Sequence, residues 1–241
     1  MQLAPNLHRI GSDHVNVYLV ADDTGVTVID AGISGLWQEF LAELLAMKRT
    51  LDEVRAVLLT HGDTDHIGFA ERLRRDHGVP VYVHRGDAAR ARGEEKTSPS
   101  WGEVKVVPLL RFLTYAGLRG GLRTRHLTEV RELEGGEELD LPGRPRVVPM
   151  PGHSPGSVAY YVPAVEAVFV GDALTTKNVL TGVPGPQPAP FTDDPALAIE
   201  SLRNIEGLDA VWVLPGHGPP WSGGVAEAAR RIREVAAAQG T

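Results

Sequence analysis

The chain has 241 residues, 42% hydrophobic and 23% charged, with a formal net charge of −7. That length and apolar content support one large domain or two fused halves with a substantial core, and the acidic balance excludes a sequence-wide attraction to nucleic acid or anionic membrane. There is no cysteine, which rules out disulfides, thiolate zinc sites and cysteine-ligated iron–sulfur clusters.

The opening residues Met1-Gln2-Leu3-Ala4-Pro5 show no basic segment followed by an apolar one. No apolar stretch approaches the roughly 20 residues that span a bilayer, so a soluble cytoplasmic protein without membrane contact is expected. Val15 to Val20 and Val26 to Ile29 read as a strand pair around the turn Asp22-Asp23-Thr24-Gly25, and Asp30-Ala31-Gly32 ends the second strand. Leu36 to Lys48 has apolar residues at helical spacing. Val54 to Thr60 is Val- and Leu-rich, as a buried strand is; Ile67 to His77 is helical and stops at Gly78, and Val79 to His84 is the next strand. Glu94 to Leu127 is less regular.

The second half repeats these pieces. Arg146 to Met150, Ser157 to Val162 and Val165 to Val170 read as strands, the last two as a hairpin. Val183 to Pro190 is a proline-rich loop, Asp194 to Ile205 a helix, Ala210 to Leu214 a strand and Gly224 to Ala238 a closing helix. Strand–helix alternation implies sheets covered by helices.

His61-Gly62-Asp63-Thr64-Asp65-His66 packs four potential metal ligands into six residues, directly after an apolar strand. His153, Asp172 and His217 sit in glycine-flanked contexts downstream, each also after an apolar strand. One metal needs only three or four protein ligands. Seven such groups therefore point to two metals sharing a site at a sheet edge, an arrangement used for hydrolysis.

The ordered set Asp30-Ala31-Gly32, Thr60 to His66, Gly152 to Gly156, Gly171-Asp172 and Pro215 to Gly218 resembles the metallo-β-lactamase-fold metallohydrolases, in an HxDxDH variant. The resemblance runs from Val15 to Trp221. It implies an α/β fold, a four-layer αββα sandwich forming a single domain over 1–241 with halves of roughly 1–125 and 126–241. Carried over residue by residue, it implies that His61, Asp63 and His153 hold one metal, Asp65, His66 and His217 the other, and that Asp172 bridges them. Asp30 matches the family's aspartate near a ligand histidine, although a turn-forming aspartate is the plainer reading. Zinc is the metal the family implies.

Histidine is commoner than Asp63 at its position, and flavodiiron reductases of the same family carry glutamate there. Two divalent ions supply four positive charges, which three aspartates and a bridging hydroxide cancel. Asp63 thus favours iron or manganese relative to zinc. The implied reaction is hydrolysis: a metal-bridging hydroxide attacks a small ester, thioester, lactone or amide, with Asp65 orienting the nucleophile or relaying its proton. The alternative is a di-iron redox protein whose flavin arrives on a separate partner. The expected partner is a small-molecule substrate, not nucleic acid; a homodimer is left open.

Lys177 and Asn178, close after Asp172, are candidates to contact substrate. So are Arg111 and Tyr115, in a segment that also holds Arg119, Arg123 and Arg125. This segment reads either as an amphipathic helix with solvated arginines or as a lid that binds an anionic substrate group. His8, His14, His77, His84 and His126 read as surface or core-satisfied histidines.

Overall fold

A computed structural model describes residues 1–95, 103–121 and 124–239. Among them, seven strands form one mixed sheet: β1 (Gln2–Ala4), β2 (Leu7–Ser12), β3 (Val15–Asp22), β4 (Gly25–Ile29), β5 (Val54–Leu58), β6 (Val81–His84) and β7 (Arg131–Leu133), hydrogen-bonded in that order. Short turns make β1 to β4 antiparallel. From β4 onward the strands run parallel, because helical crossovers intervene: α1 (Trp37–Ala46) after β4, α2 (Ala70–His77) after β5, and α3 (Ala88–Ala91) and α4 (Val106–Leu118) after β6.

The second sheet contains β8 (Arg146–Pro149), β9 (Val158–Val162), β10 (Ala167–Gly171) and β13 (Trp212–Pro215), in the order β13-β10-β9-β8. A separate hairpin joins β11 (Thr175–Lys177) to β12 (Pro184–Gln187), and α5 (Pro195–Ser201) and α6 (Val225–Gln239) follow in sequence. Asp194 caps α5, its carboxylate accepting from the Leu197 N–H at 2.9 Å.

Side-chain alternation explains the layering. In β3, Val17 and Leu19 face the cluster under α1 and α2, whereas Tyr18 and Val20 face the opposite sheet. In β10, Phe169 meets that same central cluster while Val168 and Val170 pack under α5 and α6. Both strands are apolar on two faces because both sheets are covered on two sides. The result is the four-layer αββα sandwich. Tyr160 and Phe169 are fully buried at its centre, each burial stabilising by about 1.5–3 kcal/mol.

The expected elements recur, with instructive differences at their ends. The helix expected from Ile67 starts at Ala70, because Ala31 N–H donates to His66 O and Gly68 N–H donates to Gly32 O, drawing 66–68 into a connection between strand ends. The less regular segment contains α4, which agrees with the amphipathic-helix reading of the stretch around Arg111, and Pro108 is tolerated in its first turn. β7 pairs with β6, so the first sheet extends past residue 125. No described helix is long and apolar enough to cross a membrane.

Candidate metal centre

Each ligand-type residue follows the end of a strand, where the chain leaves the sheet. β5 delivers 61–66, β8 leads into 153, β10 into Asp172 and β13 into His217. The two sheets come close enough only because residue 216 is glycine. A Cβ there would lie 2.3 Å from Asp172 Oδ1 and 2.4 Å from His66 Cε1.

The structure brings all seven expected residues together. His61, Asp63 and His153 form one group and Asp65, His66 and His217 a second, with ligand atoms in each within 4.8 Å of one another. Asp172 lies between them: Oδ1 is 3.6 Å from His66 Nε2, and Oδ2 is 3.1 Å from His217 Nε2 and 3.9 Å from His153 Nε2. Two His/Asp triads this close make a candidate binuclear divalent-metal site.

The hydrogen bonds decide which imidazole nitrogen is free. The Thr60 hydroxyl donates to Asp30, so it accepts from His61 Nδ1 at 3.0 Å. The Thr192 hydroxyl donates to Ala189 O and so accepts from His153 Nδ1. His66 Nδ1 donates to Asp30 Oδ2 at 2.9 Å, and His217 Nδ1 donates to the His14 carbonyl. Every Nδ1 is therefore occupied and every Nε2 points into the centre, the tautomer a ligand histidine needs. His61, His66 and His153 Nε2 and Asp172 Oδ1 are buried without any hydrogen-bond partner. Buried polar atoms left unpaired are costly, and divalent cations coordinated by them would satisfy all four. The donor set fits two metals.

Before a metal binds, protons take part of its place. Burial opposes charge on His66, yet Asp172 and Asp30 lift its pKa to about 10. Burial likewise opposes charge on His217, which Asp172 raises to about 9. Burial and then the neighbouring His66 hold His61 well below the usual range. The protonated forms of His66 and His217 stabilise the metal-free fold fully below pH 6.5, a contribution lost as pH rises through about 9 to 10. Metal uptake at pH 7.5 should accordingly release about two protons from these histidines, beyond any lost by metal-bound water, and the release should fall by about two as the pH is raised through that window. An indicator-dye titration measures it; uptake without proton release at pH 7.5 would contradict the assignment.

Asp30 combines the two readings its sequence allowed. It takes a left-handed backbone (φ 58°) at the end of β4, and its carboxylate accepts from Thr60 N–H at 2.8 Å as well as from His66. Asp30→Asn should weaken metal binding beside His66 by about 10–100-fold while sparing the position beside His61. Chelator competition resolves the two; equal affinity at both positions in the variant would count against it.

Two functional neighbours carry no sequence signal. Asp87 is fully buried and accepts from Gly62 N–H, Ser154 Oγ and Gly156 N–H, each at 2.7 Å, joining the ligand loops of both halves. Arg90, 8% exposed, lies 3.5 Å from Asp63 and 2.6 Å from Asp193. The ligand charge count thus omits a cation and a further carboxylate.

The expected substrate contacts are placed otherwise than the ligands. Lys177 Nζ is 3.6 Å from Asp13, and Asn178 Oδ1 accepts from Leu180 N–H and Thr181 N–H in its own turn. Tyr115 packs against His14 beneath the Arg119 guanidinium, and Arg111 is exposed on α4. Arg119 pairs with Glu39, Arg125 lines a separate groove with Arg72 and Arg75, and Arg123 lies outside the described residues. α4 nevertheless overlies the centre, with Phe112 edge-on to His217 at 6.2 Å. A cavity of about 460 Å³, walled by the proline-rich segment, is lined by the expected contact Asn178, by Ala173 next to Asp172 and by Thr192, and by none of the seven ligand-type residues.

Comparison with known proteins follows this geometry. The family model described as "Metallo-beta-lactamase superfamily" matches residues 10–217. Probable metallo-hydrolase YflN of Bacillus subtilis (strain 168) is 26% identical, covering 92% of this chain and 87% of that protein. The structure of TTHA1623 in a di-iron-bound form is 29% identical with a TM-score of 0.61, covering 92% and 96% of the two chains. TTHA1429 from Thermus thermophilus, a metallo-beta-lactamase family protein, shares the fold at 23% identity and a TM-score of 0.71 over 99% of this chain and 81% of that one.

Proposed function

The chain belongs to the metallo-beta-lactamase superfamily, its binuclear centre is that of a metal-dependent hydrolase acting on a small substrate, and we propose that it cleaves an ester, thioester, lactone or amide. The observation that carries this reading is the convergence of buried, unpartnered His61, His66 and His153 Nε2 atoms on Asp172. His61, Asp63 and His153 would hold one cation and Asp65, His66 and His217 the other, with Asp172 placed to be shared by the two. Two divalent cations supply a water acidified towards neutral pH and a Lewis acid for the carbonyl oxygen.

The chain's own residues supply the rest. Asp65 is part-exposed at the mouth, 3.4 Å from His217 Nε2, where its carboxylate can take the proton of the attacking water and return it to the leaving group. Thr60, Thr192, Asp30 and the His14 carbonyl fix the ring planes, so little reorganisation accompanies reaction. The apolar walls of the cavity, Ala173, Phe191 and Ala198, receive an uncharged part of the substrate and exclude water from it.

The test is to load the protein separately with zinc, iron and manganese and assay lactone, thioester, phosphodiester and β-lactam substrates. Turnover of a carbonyl substrate that disappears on chelation and returns with two metals per chain is expected. Turnover that survives complete chelation would overturn the reading. A di-iron redox role with flavin on a partner is the second reading. It is supported by the carboxylate at position 63 and by the di-iron form of TTHA1623, and a visible spectrum with metal analysis separates the two.

A further inference from the structure

The two oxygens of Asp63 face different partners. Oδ2 lies 3.6 Å from His61 Nε2 and 3.4 Å from His153 Nε2, on the side where those nitrogens converge. Oδ1 lies 3.5 Å from Arg90 Nη1, an ion-pair separation. The other guanidinium nitrogen, Nη2, donates to Asp193 Oδ2 at 2.6 Å. Asp193 is itself tied to the opposite half, its N–H donating to His153 O at 3.1 Å. α3 sits hard against the ligand loop: a Cβ on Gly62 would lie 2.8 Å from Ala91 N. Arg90 is thus held at its stem and at its far nitrogen, and its planar fork cannot follow a rotating carboxylate.

We propose that Arg90 is a positioning residue that holds Asp63 to one ligand oxygen, Oδ2, and so keeps a sixth donor out of the metal position of His61, Asp63 and His153, favouring zinc over manganese there. The inference rests on the reading of these three residues as ligands. One Asp63 oxygen, the nitrogens of His61 and His153, Asp172 and a water would already give this position five donors, above the four that zinc most often takes. A carboxylate with both oxygens free binds hard cations bidentately and raises the coordination number, which manganese accepts and zinc does not favour. Oδ1 joins the metal only by leaving Arg90.

Removing Arg90 also removes a positive charge, which tightens every divalent cation at this position. Absolute affinity therefore does not report denticity. The ratio of two dissociation constants for ions of equal charge cancels that contribution and does report it.

The experiment measures manganese and zinc dissociation constants at this position by chelator competition, in the wild type, Arg90→Gln, Arg90→Lys and Asp63→Ala. The visible absorption of each cobalt(II)-loaded protein is recorded alongside. In Arg90→Gln the manganese-to-zinc ratio should fall about tenfold and the cobalt bands should weaken as the coordination number rises. Arg90→Lys keeps the charge without the fork, so its ratio should fall by at least about threefold; it carries the test if the glutamine variant does not fold. An unchanged ratio with unchanged cobalt bands in the folded variants overturns the role of Arg90. Asp63→Ala should lose this metal alone; if it keeps both metals at wild-type affinity, the ligand reading has failed instead.

Discussion

Asp172→Ala is expected to abolish hydrolysis and to empty both halves of the centre while leaving the fold intact. Among the described residues it is the one carboxylate within 4 Å of three candidate ligand histidines, His66, His153 and His217, and its Oδ1 is buried without a hydrogen-bond partner. Histidine charge and hydrogen bonding hold the Asp172 carboxyl well below the usual range although burial pushes the other way. Its carboxylate would supply the negative charge that two cations share. Alanine leaves those cations facing each other across a cavity. The loss of turnover should be on the order of 10³-fold or more, because both the activated water and the oxyanion stabilisation go together. Asp172→Asn keeps the shape and removes the charge, and should bind no more than one metal tightly. Metal analysis and kcat on the same folded preparations check this; a variant holding two metals with wild-type turnover would show that Asp172 lies outside the coordination sphere.

The largest effect on stability is expected from Asp87→Ala. Asp87 is fully buried and takes three 2.7 Å hydrogen bonds from two loops that are about 90 residues apart in sequence. Alanine leaves Gly62 N–H and Gly156 N–H without their acceptor at a fully buried position. The cost should be about 3–5 kcal/mol, as for removing one partner of a buried charged network. Metal-free protein unfolded in urea gives the value directly. Added metal should recover part of it, because metal binds only the folded chain. A loss below about 1 kcal/mol would mean that the loops are held together by other contacts.

What the sequence made legible follows from where the information lies. The ligands are legible because four fall in one hexapeptide and the others follow apolar strands beside glycines, so local pattern alone marks them. β3, β4, β5, β9 and β10 are legible for the same reason, being apolar on both faces. β2 is hidden because His8 and Arg9 interrupt its apolar run, yet both are buried: His8 bonds Glu43, and Arg9 bonds Asn16 and Asp13. Asn16 in turn donates to Pro215 O and Gly218 O, steadying the loop that carries His217. Asp87 and Arg90 sit in Arg85-Gly86-Asp87-Ala88-Ala89-Arg90, which reads as an ordinary polar turn. Their partners are 25 to 103 residues away, a pairing that exists only once both sheets have assembled. α4 is legible as an amphipathic segment but not in its bounds, because its apolar residues Val106, Val107, Leu110 and Leu118 are exposed and do not mark a buried face.

One set of seven side chains is expected to hold two metals. An anomalous-difference map from crystals of metal-loaded protein, collected across the absorption edge of the metal used, tests it most directly. Two peaks about 3.5 Å apart are predicted, one among His61, Asp63 and His153, the other among Asp65, His66 and His217, with Asp172 between them. A single peak at full loading, or peaks away from these residues, would contradict the account.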